Sequence, residues 1–134
     1  MKNIELDTQS KIFRSACMIF LLNGFNGTTI LKIATLAEVE VSIIDYYFRT
    51  KEKLYIKVVE NILERILDKR VVFSKQEFIE TTGFLYSEFL NNKNMFEKTV
   101  YNIYCDDFED IIKKIRKWLN FADTEYSKFK YIME

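Results

Sequence analysis

The sequence predicts an all-α protein. Its apolar residues recur at the helical spacing of three and four rather than alternating as strands require. Its 134 residues include no proline and only three glycines, too few turn residues for a sheet protein. Capping residues also precede the apolar runs at the places where helices should begin. Hydrophobic residues make up 49% of the chain, enough to build a core and to argue against disorder.

Each element follows from local pattern. Thr8 or Ser10 is a good cap for a first helix carrying Ile12, Ala16, Ile19 and Phe20 on one side. Asn23-Gly24 stops it, since glycine readily takes the left-handed conformation, and Phe25 should tuck back under the end. Thr28-Thr29 then caps a short helix, ILKIATLA, with Ile30, Ile33, Ala34 and Ala37 along one side. After a turn around Glu38 and Val39, a third helix should run from about Glu40 to Tyr47, with Ile44, Tyr47 and Phe48 facing inward. Thr50 caps a long fourth helix. Leu54, Val58, Ile62 and Ile66 form one ridge of it, and Tyr55, Val59, Leu63 and Leu67 the next.

Three further helices should follow. Ser74 with Glu77 reads as a capping box, and Phe73 with Phe78 as a hydrophobic staple. That helix should end near Leu90, at Asn91-Asn92. Asn94 with Glu97 repeats the box pattern in weaker form, and Asp107 opens a last helix bearing Ile112, Ile115, Trp118 and Leu119.

Charge and composition limit the functions available. Basic and acidic residues balance at twenty each. Residues 1–60 hold eight basic and seven acidic side chains, so no strongly basic patch marks the N-terminal half. The chain has no histidine, which excludes histidine-based catalysis and leaves zinc without ligands at a suitable spacing. No nucleophile–base pair or phosphate-cradling glycine loop stands out, so neither an enzyme nor a cofactor is expected. The acid run Asp106, Asp107, Glu109 and Asp110 lacks the spacing of a calcium loop and reads as a helix cap with a solvated face. Cys17 and Cys105 lie in apolar stretches and read as buried thiols of a reducing cytoplasm. The N-terminus MKNIELDTQSK lacks the apolar segment of a signal peptide, and no run is long enough to span a membrane. A cytoplasmic protein is expected.

Three short helices and a long one, with a tight turn between the second and third, form a helix-turn-helix pattern. From Ile12 to Leu54 the chain resembles the N-terminal domain of TetR-family transcriptional regulators. The matching residues are Ile12, Ala16 and Phe20, then Gly24-Phe25, Thr28-Thr29, Ile33-Ala34, Ala37 and Val39. The run from Tyr46 to Leu54, YYFRTKEKL, is the most family-specific stretch. The resemblance implies a TetR-like three-helix DNA-binding domain over residues 1–49. Residues 50–134 would be a short helical effector-binding and dimerisation region, linked by the fourth helix.

By that resemblance Thr29, Tyr47 and Lys51 match positions that contact phosphate. Physical chemistry supports them: helix N-termini hold anions, and an ammonium group adds to the grip. Tyr46 and Tyr47 can also donate hydroxyls to the DNA backbone. Thr29 serves equally as a plain helix cap, Tyr47 as a partly buried core residue and Lys51 as a solvated lysine. The family's base-reading positions fall on Leu31, Val41, Ser42 and Ile43. None of these makes the bidentate contacts of Arg, Lys, Asn or Gln to base edges, though they can meet thymine methyls, and Glu40 can accept from a cytosine amino group.

Two departures from the family pattern bear on affinity. The usual glycine before the third helix is Glu38, at a cost of roughly 1 kcal/mol if the position is left-handed. The usual tyrosine is Asp45, an acid where a phosphate contact is expected. Weak DNA affinity follows on electrostatic grounds.

The expected function is a TetR-like repressor that binds a double-stranded DNA operator as a homodimer and is released by a small apolar effector. The alternative is a shortened relative that has lost DNA binding and presents Leu31, Val41 and Ile43 to protein. After Phe73 the chain has room for about three helices, fewer than the family usually carries. Aromatic residues there, including Tyr86, Phe89, Phe96, Tyr101, Tyr104 and Phe108, can serve as core or line a cavity. The last helix is the expected dimer face.

Overall fold

The computed structural model describes residues 2–68, 74–103 and 113. The described residues form six helices and no strand, in agreement with the all-α expectation. They are α1 (Lys2–Asn23), α2 (Ile30–Ala37), α3 (Val41–Phe48), α4 (Lys51–Leu67), α5 (Lys75–Asn91) and α6 (Lys93–Ile103). The chain divides into two compact units, Met1–Asn61 and Ile62–Glu134. Helix α4 begins in the first and ends in the second.

In the first unit α1 packs on α2, and α2 on α3. Ile12, Ala16 and Phe20 of α1, the side expected to face inward, are buried. Ile33, Ala34 and Ala37 of α2 are buried as well, and the two alanines are small enough to suit a close helix crossing. Ile44 and Phe48 bury α3, and Leu54, Tyr55, Val58 and Val59 bury the first turns of α4. An aromatic trio fixes the α1–α2 loop. Phe25 stacks on Phe20 with centroids 6.5 Å apart, and Tyr55 meets the edges of both, at 5.3 Å from Phe20 and 4.9 Å from Phe25. Phe25 therefore tucks back as its sequence position suggests.

α1 starts earlier than Thr8 and Ser10 suggest, at Lys2. No breaker separates Lys2 from Thr8, so the helix runs through both candidate caps, which serve as ordinary helical residues. Its end matches: Asn23 is the last helical residue and Gly24 takes φ 71°. α3 is shifted by one residue from expectation, with Glu40 as its cap residue and Phe48 as its last.

In the second unit α5 packs on α6. Ser74 caps α5 by accepting from the Glu77 N–H at 3.1 Å, as the capping-box pattern indicates. The Glu77 carboxylate pairs with Arg65 of α4 at 3.2 Å. Asn92 ends α5 by donating its N–H to the Glu88 carbonyl. Asn94 is not a cap, because α6 opens at Lys93 and the Asn92 carbonyl already accepts from the Phe96 N–H. Ile62, Leu63, Phe84, Leu85, Phe96 and Val100 are the apolar core. The side chains of Phe73 and Phe78, Cys105, the acid run from Asp106 and the Asp107 helix with Trp118 lie outside the described residues.

Candidate nucleic-acid interface

The turn between α2 and α3 is built by backbone hydrogen bonds. Glu38 sits in the left-handed region at φ 56°, ψ 44°. Its N–H donates to the Thr35 carbonyl at 3.3 Å, and the Val39 N–H donates to the Ala34 carbonyl at 3.0 Å. This pair is the Schellman closure, in which the left-handed residue is usually glycine. The turn thus takes a closure usual for glycine despite Glu38, with the backbone strain that a side chain at this φ entails.

The far end of α3 is also strained. Arg49 takes φ 72°, ψ −69°, and the Thr50 N–H donates across it to the Phe48 carbonyl at 2.9 Å. That is a γ-turn of positive φ, a rare conformation for a residue with a side chain. Nothing in the sequence around Arg49 signals it. Thr50 then caps α4, accepting from the Lys53 N–H at 3.1 Å.

Thr28 and Thr29 divide two tasks. The buried Thr28 hydroxyl donates to the Gly24 carbonyl at 2.7 Å and ties the loop down. Thr29 is exposed, and its hydroxyl oxygen accepts from the Lys32 N–H at 3.1 Å as the N-cap of α2. The cap role is therefore present, and the hydroxyl still faces outward.

The outward sides of α2 and α3 hold the remaining candidates. Leu31 is 66% exposed, Val41 44%, Ile43 36% and Tyr46 67%. Ser42 and Asp45 are exposed and Tyr47 is half-buried, its ring edge-on to Tyr46 at 5.0 Å. Glu38 and Glu40 add exposed carboxylates at the turn. The Lys32 ammonium donates to the Gly27 carbonyl at 3.0 Å, which directs it to the loop before α2.

Lys51, in the first turn of α4, is half-buried rather than freely solvated. Its Nζ lies 4.1 Å from the centroid of the Phe25 ring, a cation–π contact. This pairing has no signature in the sequence, because Phe25 lies in the α1–α2 loop and Lys51 at the start of α4. Among the described residues no cluster of histidine, cysteine or carboxylate side chains can hold a metal ion, and no helix is long and apolar enough to cross a membrane.

Residues 12–58 match the family model of bacterial regulatory proteins, tetR family. The chain is similar to the HTH-type transcriptional repressor NicS of Pseudomonas putida, 44% identical over 55 residues, 41% of this chain and 26% of that protein. It is also similar to the probable HTH-type transcriptional regulator YttP of Bacillus subtilis, 39% identical over 61 residues, 46% of this chain and 30% of that one. The match thus spans less than a third of either relative. Among solved structures, a HlyIIR mutant protein aligns at 23% identity with a TM-score of 0.40, over 82% of this chain and 62% of that one. The alternative of a relative without DNA binding gains no support from these likenesses. The likeness to the tetR family of bacterial regulatory proteins thus lies in residues 12–58, the stretch that carries the turn closing α2.

Proposed function

We propose that the chain is a DNA-binding transcriptional regulator, a repressor released by a small apolar effector. Residues 1–49 form the reader and residues 50–134 the effector-binding and dimerisation region. α3 enters the major groove, where Val41, Ser42 and Ile43, with Leu31 of α2, face base edges. Thr29, Tyr46, Tyr47 and Lys51 hold the phosphate backbone. A cytoplasmic homodimer sets two such helices about 34 Å apart, one turn of DNA. Effector binding shifts the dimer toward a spacing that no longer fits. Catalysis has no part in this reading.

The observation that carries the reading is the Schellman closure at Glu38. It holds α2 and α3 so that Leu31, Val41, Ser42 and Ile43 are all exposed while Ile33, Ala34 and Ile44 are buried. Asp45, Glu38 and Glu40 lower the affinity without altering that geometry.

The test is titration of the full chain against mixed genomic DNA fragments at several salt concentrations. Retention that weakens with salt and enriches particular fragments supports the reading. Lys51→Ala should then reduce the slope of log K against log salt by about one, the signature of one lost phosphate contact. Absence of binding even at low salt overturns it.

A further inference from the structure

The outward face of α2 and α3 is chemically unusual for a reader of base edges. From Thr29 to Phe48 the chain has no arginine, asparagine or glutamine, and its one basic residue is Lys32. The Lys32 ammonium is engaged with the Gly27 carbonyl. Apart from Lys32, the side chains that make bidentate pairings to guanine O6 and N7, or to adenine N6 and N7, are missing from this stretch. Exposed Glu38, Glu40 and Asp45 are acceptors, and they repel the two acceptors that guanine displays in the major groove. The other exposed groups include the hydroxyls of Ser42 and Tyr46 and the apolar side chains of Leu31, Val41 and Ile43.

We infer that this face recognises thymine through its 5-methyl group, the one apolar feature that any base presents in the major groove. The inference rests on the DNA-binding reading and specifies its substrate: duplex with thymines at the positions facing Val41, Ile43 and Leu31. Ser42 and the nearby carboxylates accept from adenine N6 on the opposite strand. The carboxylates repel the guanine edge, while a cytosine amino group can still meet them.

The experiment replaces thymine by deoxyuridine, which removes the methyl and leaves base pairing unchanged. The full chain first selects duplexes from a randomised pool at low salt. The selected duplex is then remade with deoxyuridine at each A·T pair of the site. Affinity should fall roughly fourfold for each contacted methyl lost. The double variant Val41→Ala with Ile43→Ala should bind the thymine duplex more weakly and lose most of the preference for thymine over uracil. Both positions are exposed, so an unchanged circular dichroism spectrum should confirm its fold.

Equal binding of the thymine and uracil duplexes by the unaltered chain overturns the inference and leaves the DNA-binding reading standing. Selection of sites that lack thymine does the same. A double variant that keeps the full thymine preference places that preference in DNA shape, which also overturns it. Retention of no duplex at low salt removes both readings together and leaves the apolar face to a protein partner.

Discussion

Ile43 and Ile44 are neighbours in α3, yet Ile43 is 36% exposed and Ile44 is 2% exposed. The contrast extends over both short helices. Their inward sides carry Ile33, Ala34, Ala37, Ile44 and Phe48, all buried, and their outward sides carry Leu31, Val41, Ile43 and Tyr46, all exposed. Large apolar residues occur on both sides, so residue type alone does not separate core from contact surface. Position on the helix does, and a residue of positive φ lies at each end of α3, Glu38 before it and Arg49 after it. The carboxylates Glu38 and Asp45 fall where side chains meet solvent.

Substitutions on the two sides should separate accordingly. The largest effect belongs to the core: Phe20→Ala removes the ring that stacks on Phe25 and meets Tyr55, and should cost about 3–5 kcal/mol in urea unfolding. Thr29→Ala removes the hydroxyl that caps α2 and should cost about 1 kcal/mol. If Thr29 also grips phosphate, DNA affinity falls further than the stability loss explains. Glu38→Gly should act in the opposite direction, stabilising the fold by about 1 kcal/mol through relief of the left-handed residue. It should also tighten DNA binding by removing a carboxylate. Val41→Ala and Ile43→Ala, tested singly, should each change stability by about 0.5 kcal/mol or less, because exposed positions tolerate truncation. A loss of several kcal/mol at either position would mean that the outward side is core.

Much of this fold was readable from capping chemistry. Thr29, Thr50 and Ser74 each accept the hydrogen bond their position implies, and they set the starts of α2, α4 and α5. The same chemistry misled at Thr8 and Ser10, where good capping residues sit inside a helix that nothing upstream interrupts. It misled again at Asn94, because the end of α5 and the start of α6 share Asn92. The apolar periodicity identified the buried sides of α2 and α3, and so by difference their exposed sides. The conformation of Arg49 was not readable, since a γ-turn of positive φ has no residue signature there. Nor was the seating of Lys51, which depends on Phe25 being placed by Phe20 and Tyr55.

That seating bears on the entropy of binding. A lysine in water samples many rotamers, and fixing it against a partner costs up to about 2 kcal/mol of side-chain freedom. Lys51 has lost part of that freedom before any ligand arrives, because its ammonium already rests on the Phe25 ring. An anion docking at the first turn of α4 meets a cation already in place, so less ordering remains to be done at the moment of contact. A single cation positioned in this way contributes more to affinity than its unit charge suggests, on a surface where acidic side chains leave few others to help.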